Sequence, residues 1–91
     1  MPTKNQIQLL SALGPEYSIK TIDLEECVYR KINDCYDIEV SGTWKKGLPI
    51  TIYVWRICGG KHTVEQIDGI KSTARLKHEL DKIIEKYSDL A

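Results

Sequence analysis

The stretch Cys27–Ile57, CVYRKINDCYDIEVSGTWKKGLPITIYVWRI, decides the fold. Within it, Tyr36-Asp37-Ile38-Glu39-Val40 places an apolar residue at every second position with acids between, the period of a strand buried on one face. Ile50-Thr51-Ile52-Tyr53-Val54-Trp55-Arg56-Ile57 alternates aliphatic with mainly aromatic residues, so its outer side is not a plain solvent face. An antiparallel sheet needs only one covered face, and a second apolar side points to a partner.

Working back from this core, Cys27–Ile32 meets Tyr36–Val40 across Asn33-Asp34. Read as a two-residue hairpin, it pairs Ile32 with Cys35, Arg30 with Asp37, Tyr29 with Ile38 and Cys27 with Val40. The competing reading is a helix over 23–32 with Leu24, Cys27, Val28 and Ile32 on one stripe. It gives no such agreement of charges and apolar pairs, so the hairpin is preferred. Tyr17–Ile22 reads as a short strand before it. On the other side, Gly59-Gly60 marks a turn and His62–Ile67 a last strand.

Helices are expected at both ends. Thr3 or Asn5 can cap a first helix bearing Ile7, Leu10 and Leu13 with Leu9 beside them, stopped by Gly14-Pro15. From Ser72, a fair N-cap, Leu76, Leu80, Ile83, Ile84 and Tyr87 form one face of a second helix. The chain therefore reads as one α+β domain over residues 1–91. It is a two-layer sandwich: an N-terminal helix, an antiparallel meander of four to five strands, and a C-terminal helix, with both helices on one sheet face. The expected core is Leu10, Leu13, Ile38, Val40, Ile52, Val54, Leu76, Leu80, Ile83 and Ile84.

Ninety-one residues can bury a core without metal or disulfides. Thirteen basic side chains balance thirteen acidic ones, which disfavours a dedicated nucleic-acid binder and an anionic membrane surface. The apolar run Ile50–Cys58 is too short to span a bilayer. A polar segment follows Met1-Pro2-Thr3-Lys4 where a signal peptide would be apolar. Three cysteines without framework spacing suit a reducing compartment, hence a cytoplasmic location.

The candidate sites follow from the same strands. Thr51, Tyr53, Trp55 and Ile57 are expected to point away from the helices, sharing that side with Val28, Arg30, Ile32, Asp37 and Glu39. Trp, Tyr and Arg dominate interface energetics, so Tyr53, Trp55 and Arg30 form a candidate surface for a protein partner or a homodimer. The bland alternative is that these aromatics merely cover the sheet. A second candidate is Trp44-Lys45-Lys46, an aromatic among bases able to grip phosphate or an acidic partner, with Arg56 and Lys61 as further bases for a nucleic acid. Asp37 and Glu39 disfavour a nucleic-acid platform on the sheet itself.

Cys58 and His62 have a spacing that could serve a metal or a nucleophile–base pair. A closed zinc site needs four ligands, however, and no orienting carboxylate is identifiable. No metal, cofactor or catalytic set is assigned. The leading expectation is a small non-enzymatic protein-binding or regulatory domain using the aromatic sheet face. The alternative is a nucleic-acid accessory protein using the Trp/Lys loop.

Overall fold

A computed structural model describes residues 2–90. In chain order they form α1 (Lys4–Leu13), β1 (Ser18–Ile22), β2 (Glu25–Lys31), β3 (Tyr36–Ser41), β4 (Ile50–Arg56), β5 (His62–Ile70) and α2 (Thr73–Tyr87). All strand pairs are antiparallel and sheet order equals chain order, β1-β2-β3-β4-β5. The architecture is the expected α+β meander with a helix at each end.

Alternation in β3 and β4 does what its period dictates. Ile38, Val40, Ile52 and Val54 are all fully buried and join Leu9, Leu13, Leu76, Leu80, Ile83 and Tyr87 in one core. The two helices thus share one face of the sheet. Ser72 caps α2, its hydroxyl accepting from the Arg75 amide at 3.1 Å, and the apolar stripe read from the sequence is the buried one, although Ile84 is only half-buried.

In α1 the buried face is rotated from expectation. Gln6, Leu9 and Leu13 face inward, Leu10 is half-buried and Ile7 is 58% exposed. The cause is Gln6. It closes a capping box with Thr3, and its Nε2 donates to the Glu26 carbonyl at 2.8 Å and to Thr43 Oγ1 at 3.3 Å. A buried amide with these partners fixes the helix more firmly than a preference for Ile7 over Leu9.

Residues 25–31 form a strand and not a helix, but the β2–β3 register differs by one from expectation. Lys31 pairs with Asp37, Arg30 with Ile38 and Val28 with Val40. The connection uses Asn33, Asp34 and Cys35, not two residues. Asn33 Oδ1 accepts from the amides of Cys35 (2.9 Å) and Tyr36 (3.0 Å), while Ile32 N–H donates to the Tyr36 carbonyl. A one-residue slip turns every side chain over. Val28, Arg30 and Ile32 therefore face the helices, and Cys27, Tyr29 and Lys31 face outward. Arg30 lies over the Tyr17 ring at 5.2 Å.

β5 runs three residues beyond Ile67 because Gly69, at φ +69°, absorbs a bulge between the Ile50–Ile70 and Ile52–Ile67 pairs. This returns Ile70 to the core, where it is fully buried.

Asn33 also donates through Nδ2 to the Tyr87 carbonyl at 3.1 Å, tying the hairpin to the end of α2. Asn33→Ala deletes all three bonds and is expected to lower unfolding free energy by about 1–3 kcal/mol, read from the urea midpoint. Asn33→Asp, which keeps the acceptor, should fall between. A change in Asn33→Ala below about 0.5 kcal/mol, the scale of an inert surface substitution, would mean that the register is held elsewhere.

Candidate functional site

Two regions collect the candidate residues: the sheet face away from the helices, and the corner where the β1–β2 turn meets the connection 42–49 between β3 and β4.

On the open face the register places Tyr29, Asp37, Glu39, Tyr53 and Trp55 side by side. Four of these side chains satisfy one another in pairs. Tyr29 Oη donates to Asp37 Oδ2 at 2.9 Å, and Trp55 Nε1 donates to Glu39 Oε1 at 3.2 Å. The Lys20 ammonium sits 4.3 Å from the Tyr29 ring centre and that of Lys61 4.7 Å from Trp55. Asp37 is buried although no helix covers it. Tyr53 and Trp55 are half-buried with ring centres 6.4 Å apart. The face is thus largely closed by its own lysines around a hollow of about 200 Å³.

Burial dominates the titration of this layer. It pushes the Glu39 carboxyl up, against the opposing effects of the Trp55 hydrogen bond and Lys61, while Glu25 and Asp23 add to the rise. Burial, the Glu25 and Glu39 charges and a weak bond to Glu25 drive the Cys27 thiol up to about 12. Burial and the bond to Asp37 take Tyr29 up to about 12. A thiol so raised is a poor nucleophile.

The corner is built differently. Asp23 (φ +49°) and Leu24 (φ +69°) alone link the paired residues Ile22 and Glu25. Tight hairpins want positive φ at both positions, which Asn-Gly or Asp-Gly supplies without strain. Here a leucine holds the second place, and the residue is 101% exposed. Nearby, the Glu25 carboxylate accepts from Gly42 N–H and Ser41 Oγ, both at 2.9 Å. Gly42, at φ +80°, has no room for a Cβ, which would strike the Pro49 carbonyl oxygen. Thr43 is fully buried, its carbonyl accepting from Asn5 Nδ2 at 2.8 Å and its hydroxyl from Gln6. These anchors project the next residue, Trp44, outward with half its surface exposed.

Trp44 stands between two hollows. One, of about 350 Å³, is lined by Leu24, Glu25, Glu26, Thr3 and Gln6. The other, of about 410 Å³, is lined by Lys4, Lys45 and Lys46 with Thr3, Asn5 and Gln8. The aromatic ring therefore divides an acidic hollow from a basic one.

The structure thus brings Trp44, Lys45 and Lys46 together but separates them from Arg56, at the opposite end of β4, and from Lys61, which covers Trp55. Tyr53 and Trp55 share the open face, whereas Arg30 is on the other side. Leu24 escaped the sequence reading because Asp-Leu carries no glycine or asparagine turn signal. The sequence reading also began the second strand at Cys27, leaving a four-residue gap where the structure closes a two-residue turn between Ile22 and Glu25.

Cys58 is joined to Cys35, with Cα atoms 4.6 Å apart, so it offers no thiol to His62. His62 Nδ1 instead lies 3.2 Å from the Gly60 carbonyl oxygen. The pairing also removes the ground on which the cysteine count suggested a reducing compartment. Among the described residues no three His, Cys, Asp or Glu side chains converge as metal ligands, and no helix is long and apolar enough to cross a membrane. Comparison of the chain with family models, curated proteins and solved structures finds no match.

Two measurements check this chemistry. Thiol titration of the oxidised protein should find nothing reactive in the native state, one thiol (Cys27) after unfolding, and three after unfolding with reductant. A native thiol reacting at the rate of free cysteine would contradict the buried Cys27 environment. The second concerns Glu39, whose folded-state carboxyl is raised. Its stabilising contribution is complete below the unfolded pKa and is lost as pH rises through the folded value. Glu39→Gln should therefore resemble wild type near pH 4 and become progressively more stable than it toward pH 7. Parallel stability curves would show that the charge is not penalised.

Proposed function

We propose that this chain is a non-enzymatic protein-binding domain that docks its partner through the Leu24–Trp44 corner, with the Tyr53 and Trp55 side of the sheet adjoining it. The observation that carries this reading is Leu24, fully exposed at φ +69°. A non-glycine residue in the left-handed region costs roughly 1–2 kcal/mol, and glycine would remove that cost. Exposure gives the leucine no packing in return. A partner that buried it would gain about 1.5–3 kcal/mol. Trp44, the neighbouring exposed aromatic, belongs to the residue class that anchors interfaces.

This shifts the centre of the expected surface. Trp55 already spends much of its polar and cation-binding capacity on Glu39 and Lys61, whereas Leu24 and Trp44 face water. A nucleic-acid reading would use Trp44, Lys45 and Lys46, but Glu25 and Glu26 line the hollow on the ring's other side and would repel phosphates.

Leu24→Gly tests the reading because its two effects have opposite signs. It should raise the unfolding free energy by about 1 kcal/mol while abolishing retention of the partner in affinity capture. The result is read as a protein enriched on wild type, lost on Leu24→Gly, and showing the same difference as a purified pair. Equal retention of every captured protein by both forms would overturn the proposal.

A further inference from the structure

We propose that the hollow on the open sheet face binds a small amino acid, a zwitterion whose ammonium is taken by Asp37 and whose carboxylate is taken by Lys20 and Lys61. The argument starts from Asp37, which lines the hollow and is only 7% exposed. Its Oδ2 accepts from the Tyr29 phenol at 2.9 Å, and among the described residues nothing donates to its Oδ1. No side-chain polar atom among them is both fully buried and unpaired, so Oδ1 opens onto the hollow. A carboxylate oxygen so placed, mostly out of water and without a donor, favours a ligand that brings one.

The rim carries the opposite charge. Lys20 and Lys61 line the same hollow, and among the described residues neither makes an ion pair. Their ammonium groups rest 4.3 Å from the Tyr29 ring centre and 4.7 Å from that of Trp55. Contact with a ring face leaves most of an ammonium's three N–H donors for an anion. Glu39 has a different task, since its Oε1 accepts from the Trp55 indole and fixes that aromatic wall.

This pattern selects the ligand by charge and by size. A simple cation would meet two lysines, and a simple anion would meet Asp37 and Glu39. A zwitterion matches both signs at once. The hollow of about 200 Å³ has the volume of about seven waters, which admits a small amino acid and not a peptide. None of these residues lines the hollows beside Trp44, so the proposal does not depend on the docking reading of the corner.

Heteronuclear NMR of the full oxidised chain, following the Trp55 indole N–H, tests this with glycine, β-alanine, γ-aminobutyrate, methylammonium and acetate at constant ionic strength. The expected result is a saturable shift with at least one amino acid, and binding of methylammonium and acetate weaker by at least about tenfold. Asp37→Asn should weaken the amino acid by a similar factor, and so should Lys20→Gln combined with Lys61→Gln. Both lysines are exposed, so the double variant decides the matter even where urea unfolding shows Asp37→Asn to be misfolded. No saturable shift with any amino acid at tens of millimolar overturns the proposal. Methylammonium or acetate binding as tightly as the amino acids overturns it as well, since the site would then recognise one charge only. Binding unchanged in the double lysine variant, or in a folded Asp37→Asn, lies elsewhere and has the same consequence.

Discussion

Asn33 holds the structure to one register. Its side-chain oxygen takes two amides of the turn that follows, and its side-chain nitrogen reaches the last carbonyl of α2. The three-residue turn so formed decides which residues of β2 lie under the helices. With Val28 inside, β2 continues the aliphatic floor made by Val40, Ile38, Ile52 and Val54. With Tyr29 outside, Asp37 acquires the phenol that lets it lie buried on a face no helix covers. One amide side chain thus sets the composition of both faces of the sheet. The Cys35–Cys58 bond and the Ile57 amide, donating 2.8 Å to the Cys35 carbonyl, fasten the same turn to the end of β4.

The two outer surfaces express opposite strategies. The open sheet face carries aromatics and carboxylates yet leaves little unsatisfied, because phenol, indole and lysines close over the acids. At the corner, rigidity serves exposure instead. Buried Thr43, the Gln6 amide, the Glu25 carboxylate and a glycine with no space for a side chain all fix the backbone around Trp44. Such fixed surroundings lower the ordering entropy that an anchor residue must lose on association.

The sequence made the meander, both helices and most of the core legible, because the period of two in β3 and β4 and the stripe in α2 are strong and uninterrupted. The failures occurred where a single polar side chain overrode a pattern. Gln6 turned α1 so that Leu9 replaced Ile7, and Asn33 added a residue to a turn that composition alone would close in two. Arg30 changed faces as a consequence. The pairing of Cys35 with Cys58 depends on that same turn meeting the end of β4, a distance that no spacing rule provides. Trp44 with its lysines could be read directly, since they are consecutive. Leu24 could not, because its significance is a backbone angle and an exposure.

Sheet order that equals chain order has a kinetic meaning. Each strand pairs with its immediate successor, so the sheet has low contact order and can be assembled as successive hairpins without waiting for remote segments. Longer-range closures tie the ends and turns to the sheet: Asn5 and Gln6 reach Thr43, Gln6 reaches Glu26, Cys35 is bonded to Cys58, and Asn33 reaches Tyr87 across 54 residues. Growth of the sheet and docking of the helices are in this way separable events. The Leu24 turn, lying between the first two strands, is formed by the most local of them.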